Sequence, residues 1–250
     1  MKTIKKGLAV LDTFTQEDPN QGVTEIARKL GFHKSTVFAI LSALREAGYV
    51  LYDTSSRRYF LGFKVVELAG RVLYHKDFKE LALPILKACA DKIEEDVGLN
   101  IMIEGKRVCI ALVESRYFVR QLVPLGKALP LHCSAAGKVL MAYLAPSEID
   151  IIITRYGLPA FTDNTITNKK HLLDELRKIR ERGYAESREE FGKDAAALAF
   201  PVFDGNRRLV ASLSIQSTIN RLNQTSRQRY VMEGLHAARE ISGRVASMSL

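Results

Sequence analysis

The stretch GVTEIARKLGFHKSTVFAILSALREAGYV, residues 22–50, decides the first part of the fold. It contains two short segments with apolar residues at helical spacing on either side of Gly31, and Gly48 follows the second segment. Glycine commonly ends helices because it adopts positive φ at little cost. The pattern predicts a helix-turn-helix, a motif that places its second helix in the DNA major groove. An ordinary α-hairpin has the same spacing, so the motif alone leaves that alternative open.

The first turns of the second helix carry the side chains that we expect to face DNA, namely His33, Lys34, Ser35, Thr36 and Phe38. Imidazole, ammonium and hydroxyl groups can donate to phosphates or base edges. Lys34 is expected to contact a phosphate, and helix capping is the alternative role for Ser35 and Thr36. Ala39 carries no donor, so base contacts are expected from the residues before it.

The sequence around this motif predicts a winged helix-turn-helix over residues 1–62. A helix is predicted over residues 3–16, and YVLYDTSSRRYFLG, residues 49–62, predicts two short strands around a turn. Arg57 and Arg58 near the tip can reach the DNA backbone or minor groove, with solvated hairpin charges as the alternative. Residues 1–76 hold 12 Lys and Arg against 7 Asp and Glu, which fits an anionic partner.

The rest of the chain predicts a linker helix and a second domain of the α+β class. The linker helix is expected over residues 63–77 and the second domain over residues 78–250. Strand-like runs, including Phe118–Val123, occupy the middle of that domain, and helices flank them. This order predicts an antiparallel sheet with helices packed on it.

Composition narrows the class of protein. The chain has 250 residues, a net charge of +9 and three cysteines without C-x-x-C spacing. That cysteine pattern argues against a disulfide framework or zinc knuckle and favours buried thiols. No apolar run reaches the roughly 18 residues that span a bilayer, and Asp12 interrupts the apolar run near the N-terminus. We therefore expect a cytoplasmic protein with no membrane partner, metal or cofactor.

Seven phrases in order resemble the IclR family of bacterial transcription regulators. They are KGLAVLDTF, TEIARKLGFHKSTVFAILSALREAGYV, RRYFLGFKVVELAG, PLGKALPLHCSAAGKVLMAYL, RERGYAESREEF, ALAFPVFD and LVASLSI. The resemblance implies a ligand-responsive repressor or activator whose GAF-like C-terminal domain binds a small metabolite, often a carboxylate. It also implies a homodimer or homotetramer, with winged domains paired through the linker helices on a pseudo-palindromic double-stranded DNA operator.

The resemblance also implies the effector-binding positions. They are Cys133, Ser134, Ala135, Ala136, Gly137, Ser187, Ala197, Ser214 and Gln216. The first five precede or open a helix, and a helix N-terminus favours anions. Some members that bind small keto-acids carry an acidic residue in place of Ser187, and Cys and Ser in place of Ala197 and Gln216. These differences argue against a small, glyoxylate-like effector.

The alternative function is an enzyme that acts on a small carboxylate, with the winged domain as a docking module. Ser134 precedes Gly137-Lys138 but lacks phosphate-loop spacing, so no nucleophile is indicated. His132 and Cys133 are adjacent, and a packed pair is favoured over a metal pair. Glu189 and Glu190 are interpreted as a solvated loop instead of catalytic carboxylates. We expect no catalytic residue, and a structural chromatin protein would leave the second domain without a role.

Overall fold

A computed structural model describes residues 2–15, 17–73, 77–117 and 124–247. The chain divides into two compact units, Met1–Lys76 and Asp77–Leu250. The strand predicted at Phe118–Val123 lies outside the described residues. Among the described residues, no helix combines the length and apolar character that crossing a membrane requires.

The first unit is a helix-turn-helix followed by a β-hairpin and a helix. Its elements are α1 (Lys2–Leu11), α2 (Val23–Leu30), α3 (Lys34–Glu46), β1 (Val50–Asp53), β2 (Arg58–Leu61) and α4 (Phe63–Leu73). The two strands pair antiparallel, with Val50 opposite Leu61. Gly31 ends α2 with a φ of 65°, the left-handed conformation expected for glycine at this position.

The predicted helix over residues 3–16 is too long, because α1 ends at Leu11. The Thr13 hydroxyl donates to the Val10 carbonyl at 2.7 Å and turns the chain there. Phe14 keeps the apolar spacing of α1 from outside the helix and is buried in the core of the unit with Ile26, Val37, Leu41 and Val50. Apolar periodicity therefore continued past the end of the helix.

The second unit is an antiparallel sheet with helices on both faces. Its elements are α5 (Asp77–Ile93), β3 (Asp96–Ile103), β4 (Lys106–Val113), β5 (Ala128–Leu129), α6 (Ala135–Ala142), α7 (Pro146–Tyr156), α8 (Lys169–Arg182), β6 (Ala185–Arg188), β7 (Ala195–Phe203), β8 (Leu209–Thr218) and α9 (Gln224–Ala246). The strand order is β5-β4-β3-β8-β7-β6. This arrangement confirms the predicted α+β class.

Alternation along the strands separates two cores. Leu198, Phe200, Leu213 and Ile215 pack on one face of the sheet with α5 and α9. The opposite face carries α6 and α8 and includes Ala199. On β8 the residues that alternate with the apolar ones are Ser212, Ser214 and Gln216, and all three are buried. A polar floor therefore lies beneath α6.

Candidate functional site

The outer face of α3 presents the side chains that were expected to meet DNA. His33, Lys34, Ser35 and Phe38 are exposed, and Thr36 is half-buried. Val37 and Leu41 are buried on the opposite face, so they fix the helix against its own unit. His33 is the N-cap residue, which places Ser35 and Thr36 inside the first turn instead of at the cap.

The hairpin uses its two arginines differently. Arg57 is exposed in the turn with a φ of 55°. The Arg58 guanidinium donates to the Asn20 carbonyl at 2.6 Å and to Glu25 Oε1 at 2.7 Å, which ties the hairpin to the first turn of α2. The Gly22 N–H and Arg58 hold the pKa of Glu25 below its ordinary value. Arg57 is thus the arginine that is better placed to contact a partner.

A cavity of about 70 Å³ lies between the start of α6 and the polar floor of the sheet. It is lined by Arg107, Leu129, Cys133, Ser134, Ala135, Ala136, Ser187, Phe191, Ala195, Ala196, Ala197, Ser214 and Gln216. Eight of the nine effector positions implied by the resemblance are in this set. Three of them, Ser187, Ala197 and Gln216, form one row across β6, β7 and β8.

Gly137 is the ninth position, and its place in the structure is different. It lies in the first turn of α6, where its N–H donates to the N-cap hydroxyl of Ser134 at 3.2 Å. A Cβ on Gly137 would overlap the Leu131 carbonyl oxygen and lie 2.6 Å from the Leu131 Cα. Gly137 thus permits the close approach of backbone that positions the start of α6.

Five cavity residues were not predicted from the sequence, and Arg107 is the charged one among them. It is 7% exposed and donates to Asn100 Oδ1 at 2.8 Å. Within the described ranges its Nε has no hydrogen-bond partner and no carboxylate forms an ion pair with it. Burial lowers the pKa of this guanidinium, which the neighbouring Cys109 and Cys133 partly oppose. Burying an unpaired cation costs free energy, and a bound anion would offset that cost.

A polar network joins Arg107 to the floor of the cavity. Asn100 Nδ2 donates to Ser214 Oγ at 2.9 Å, and Gln216 Nε2 donates to the same hydroxyl at 2.7 Å. The Gln216 Oε1 is buried and lacks a donor among the described residues. The cavity therefore offers both a cation and a free acceptor to a bound molecule.

Glu190 does not belong to a solvated loop, so the prediction for this residue is wrong. It is 8% exposed, and its Oε1 accepts from Lys138 Nζ at 2.5 Å. Lys138 is 1% exposed and also donates to the Glu186 carbonyl at 2.8 Å. This pair fastens α6 to the segment that carries Phe191 to the cavity. Burial raises the pKa of the Glu190 carboxyl, and Lys138 opposes that rise.

The remaining candidates for chemistry are engaged in packing. Burial raises the pKa of Cys133 to about 12, which leaves a protonated, unreactive thiol. His132 contacts the Pro159 carbonyl through Nε2 at 3.0 Å. In the part of the chain that the structure describes, no group of three or more His, Cys, Asp or Glu side chains could hold a metal ion.

The burial of the His132 imidazole should make the stability of the fold depend on pH. Burial lowers the pKa of His132 in the folded protein, so below about pH 6.5 the unfolded chain binds a proton that the fold does not. We expect the free energy of unfolding of the wild type to fall between pH 7 and pH 5. In His132→Gln it should fall less steeply, and the difference between the two slopes should be at most about 1.4 kcal/mol per pH unit. Urea unfolding across this range measures the slope.

The matched control is His171→Gln, because His171 is exposed on α8. It should keep the slope of the wild-type protein. Equal slopes for wild type and His132→Gln would contradict the assignment of a neutral, buried imidazole.

Known proteins match both units. A family model described as "IclR helix-turn-helix domain" matches residues 3–54, and one described as "Bacterial transcriptional regulator IclR C-terminal" matches residues 70–243. The transcriptional regulator KdgR of Escherichia coli (strain K12) is 32% identical over 229 residues, which cover 92% of this chain and 87% of KdgR.

Solved structures share the fold. An IclR transcriptional regulator from Alicyclobacillus acidocaldarius has a TM-score of 0.85 at 27% identity, covering 98% of this chain and 99% of that one. An IclR homologue from Microbacterium hydrocarbonoxydans, solved in complex with 4-hydroxybenzoate, has a TM-score of 0.84 at 20% identity and covers 98% and 100%.

A helix-turn-helix unit joined to an α+β unit of this kind defines a DNA-binding transcription regulator. The chain belongs to the IclR family of bacterial transcriptional regulators.

Proposed function

We propose that this regulator binds a small carboxylate in the cavity beneath α6 and changes its affinity for a pseudo-palindromic operator in response. Residues 1–62 would contact DNA, residues 63–77 would link the units, and residues 78–250 would bind the effector. The protein would act in the cytoplasm as a homodimer or homotetramer. The single observation that carries the proposal is Arg107, a buried cation that faces the cavity without an anionic partner among the described residues.

Charge and size both favour a carboxylate. Ser134, Ala135 and Ala136 at the start of α6 line the cavity, so the positive end of the α6 dipole lies beside it. Arg107 adds a full positive charge, and a guanidinium pairs well with a planar carboxylate. A cavity of about 70 Å³ suits a small ligand. The bound molecule in the Microbacterium hydrocarbonoxydans homologue is also a carboxylate.

Regulation requires that the ligand bind two states of the protein unequally. The cavity joins elements that are distant along the chain, since Arg107 lies on β4, Ser134 precedes α6 and Gln216 lies on β8. A carboxylate bridging Arg107 and the start of α6 would favour the arrangement in which they are close. Coupling between two sites in proteins is typically about 1–3 kcal/mol.

Arg107→Met is expected to weaken carboxylate binding without destabilising the fold. Carboxylate affinity should fall about 10- to 100-fold, because hydrogen bonds to charged groups contribute about 1.5–3 kcal/mol. The free energy of unfolding should change little, because removing a buried cation offsets the loss of its hydrogen bond to Asn100. Calorimetry with small monocarboxylates from acetate to benzoate, each paired with its primary amide, measures the first effect, and urea unfolding measures the second.

Two controls accompany this variant. Arg107→Lys keeps a cation and should retain part of the affinity, and Arg155→Met removes an exposed arginine of α7 and should change neither quantity. Amides that bind as tightly as the acids, or wild-type affinity in Arg107→Met, would contradict a carboxylate site at Arg107.

DNA binding is tested by fluorescence anisotropy with DNA upstream of the protein's own gene, compared with scrambled DNA at two salt concentrations. We expect sequence-selective binding that persists at the higher salt concentration. Equal affinity for both DNAs, lost as salt increases, would indicate only a basic surface.

A further inference from the structure

The outer face of α3 has an unusual set of side chains for a helix that recognises DNA. Ser35, Phe38, Ala39 and Ser42 follow one another at i, i+3, i+4 and i+7 and so form a single stripe. Phe38 is 58% exposed at the centre of this stripe. Its neighbours on the stripe are small, so the phenyl ring stands out from the helix surface.

The stripe lacks the side chains that usually distinguish bases. Arginine, asparagine and glutamine make bidentate hydrogen bonds to guanine or adenine, and none of them is present in this stripe. The charged residues of α3 are Lys34 in its first turn and Arg45 and Glu46 in its last. Between them, the stripe offers two serine hydroxyls, the small Ala39 methyl and one phenyl ring to base edges, and Thr36 lies half-buried beside it.

A phenyl ring can discriminate bases only through apolar contact. The 5-methyl group of thymine is the apolar group that base edges present in the major groove. We propose that Phe38 contacts a thymine 5-methyl group in each operator half-site and that this contact is the main source of direct base specificity in α3. The inference rests on the proposed binding of α3 in the major groove.

The position of Phe38 supports a role in binding over one in folding. The ring does not belong to the core of the first unit, which is formed by Val37, Leu41 and other residues on the opposite face. An exposed phenylalanine leaves a large apolar area in water until something covers it. Covering it with a thymine methyl removes apolar surface from water on both partners.

The experiment compares thymine with uracil, which differs only by the missing methyl group. The full chain first selects its preferred duplex from a randomised DNA pool. Each thymine of the selected site is then replaced by uracil, and affinities are measured for the wild type, Phe38→Ala and Phe38→Leu. At one position in each half-site, uracil should weaken wild-type binding roughly fourfold, the factor that corresponds to burial of one methyl group.

The variants identify the side chain that senses the methyl group. Phe38→Ala should bind thymine and uracil duplexes equally, while Phe38→Leu should retain part of the difference. Urea unfolding of both variants should match the wild type, because the ring lies outside the core. The control variant Ile151→Ala, on the exposed surface of α7, should keep the full sensitivity to uracil.

The outcomes separate the inference from the function on which it rests. Selection of a defined site with no effect of uracil at any position would overturn the role of Phe38 and leave the regulator intact. A uracil effect that persists undiminished in Phe38→Ala would also overturn it. Failure to select any site would contradict both the proposed DNA binding and this inference.

Discussion

Lys138→Met is expected to lower the free energy of unfolding of the second unit by about 3–5 kcal/mol. The substitution leaves the Glu190 carboxylate buried without its cation, at a site where the Lys138 side chain is only 1% exposed. The Glu190 Oε2 already lacks a hydrogen-bond partner within the described residues, so only the weak contribution of the Ser187 hydroxyl would remain to favour the carboxylate. Urea unfolding monitored by circular dichroism gives the difference directly.

The double variant Lys138→Met, Glu190→Leu tests the origin of this loss. Replacing both members of a buried pair with apolar side chains is often neutral, so most of the stability should return. Lys178→Met, on the exposed face of α8, is the matched control and should have little effect. A double variant as unstable as Lys138→Met would show that the loss comes from packing and not from an unpaired charge.

The loss of stability in Lys138→Met should also depend on pH. Without Lys138, burial and the nearby Glu175 carboxylate keep the pKa of Glu190 above its ordinary value in the folded state, and only the Ser187 hydroxyl opposes them. The folded variant then binds a proton more readily than the unfolded chain, so its stability is greater at low pH and falls as pH rises through the folded-state pKa. Lys138→Met should therefore be closer to the wild type at pH 5 than at pH 8.

Gly137→Ala is expected to destabilise the second unit by about 3 kcal/mol or more, at the upper end of what overpacking costs. The added Cβ would meet backbone atoms of Leu131, which cannot rotate away as a side chain can. Either α6 or the segment before it must shift, and the cavity lining at Ser134 and Ala135 shifts with it. Carboxylate binding should be lost together with stability.

The control for this variant is Gly243→Ala in α9. Gly243 is exposed in the helix, and a Cβ added there has open space. Alanine favours the helix over glycine by about 0.5–1 kcal/mol, so this variant should be slightly more stable than the wild type. Wild-type stability and carboxylate affinity in Gly137→Ala would contradict the role of Gly137 in the close approach of backbone.

The pattern of neighbouring residues in the sequence predicted the helices, turns and strands that form through contacts close along the chain. Apolar spacing and Gly31 predicted the helix-turn-helix, and strand-like runs flanked by helices predicted the antiparallel sheet. The same periodicity placed the end of the first helix too late, because Phe14 packs in the core from outside α1. Periodicity records which residues are buried, and it does not record which backbone conformation buries them.

Charged groups of the candidate site could not be predicted in this way. Glu190 follows Glu189 in a polar stretch, and its partner Lys138 is 52 residues earlier in the chain. Arg107 lies within the strand KRVCIALV, where an arginine among apolar residues was the available signal of a buried cation. The resemblance to the family predicted residues that line the cavity, but it did not predict the buried charges of Arg107, Lys138 and Glu190. Burial of these side chains depends on tertiary packing.

In the proposed function, a carboxylate held by Arg107 controls DNA binding. The most direct test is fluorescence anisotropy of the full chain on its selected DNA site, with and without the tightest carboxylate from calorimetry, for wild type and Arg107→Met. We expect the carboxylate to change the DNA affinity of the wild type about 5- to 150-fold, the range of typical coupling energies. Arg107→Met should bind the DNA normally and should need about 10- to 100-fold more carboxylate for the same change. An equal change in both proteins at the same carboxylate concentration, or no change in the wild type, would contradict control of DNA binding through Arg107.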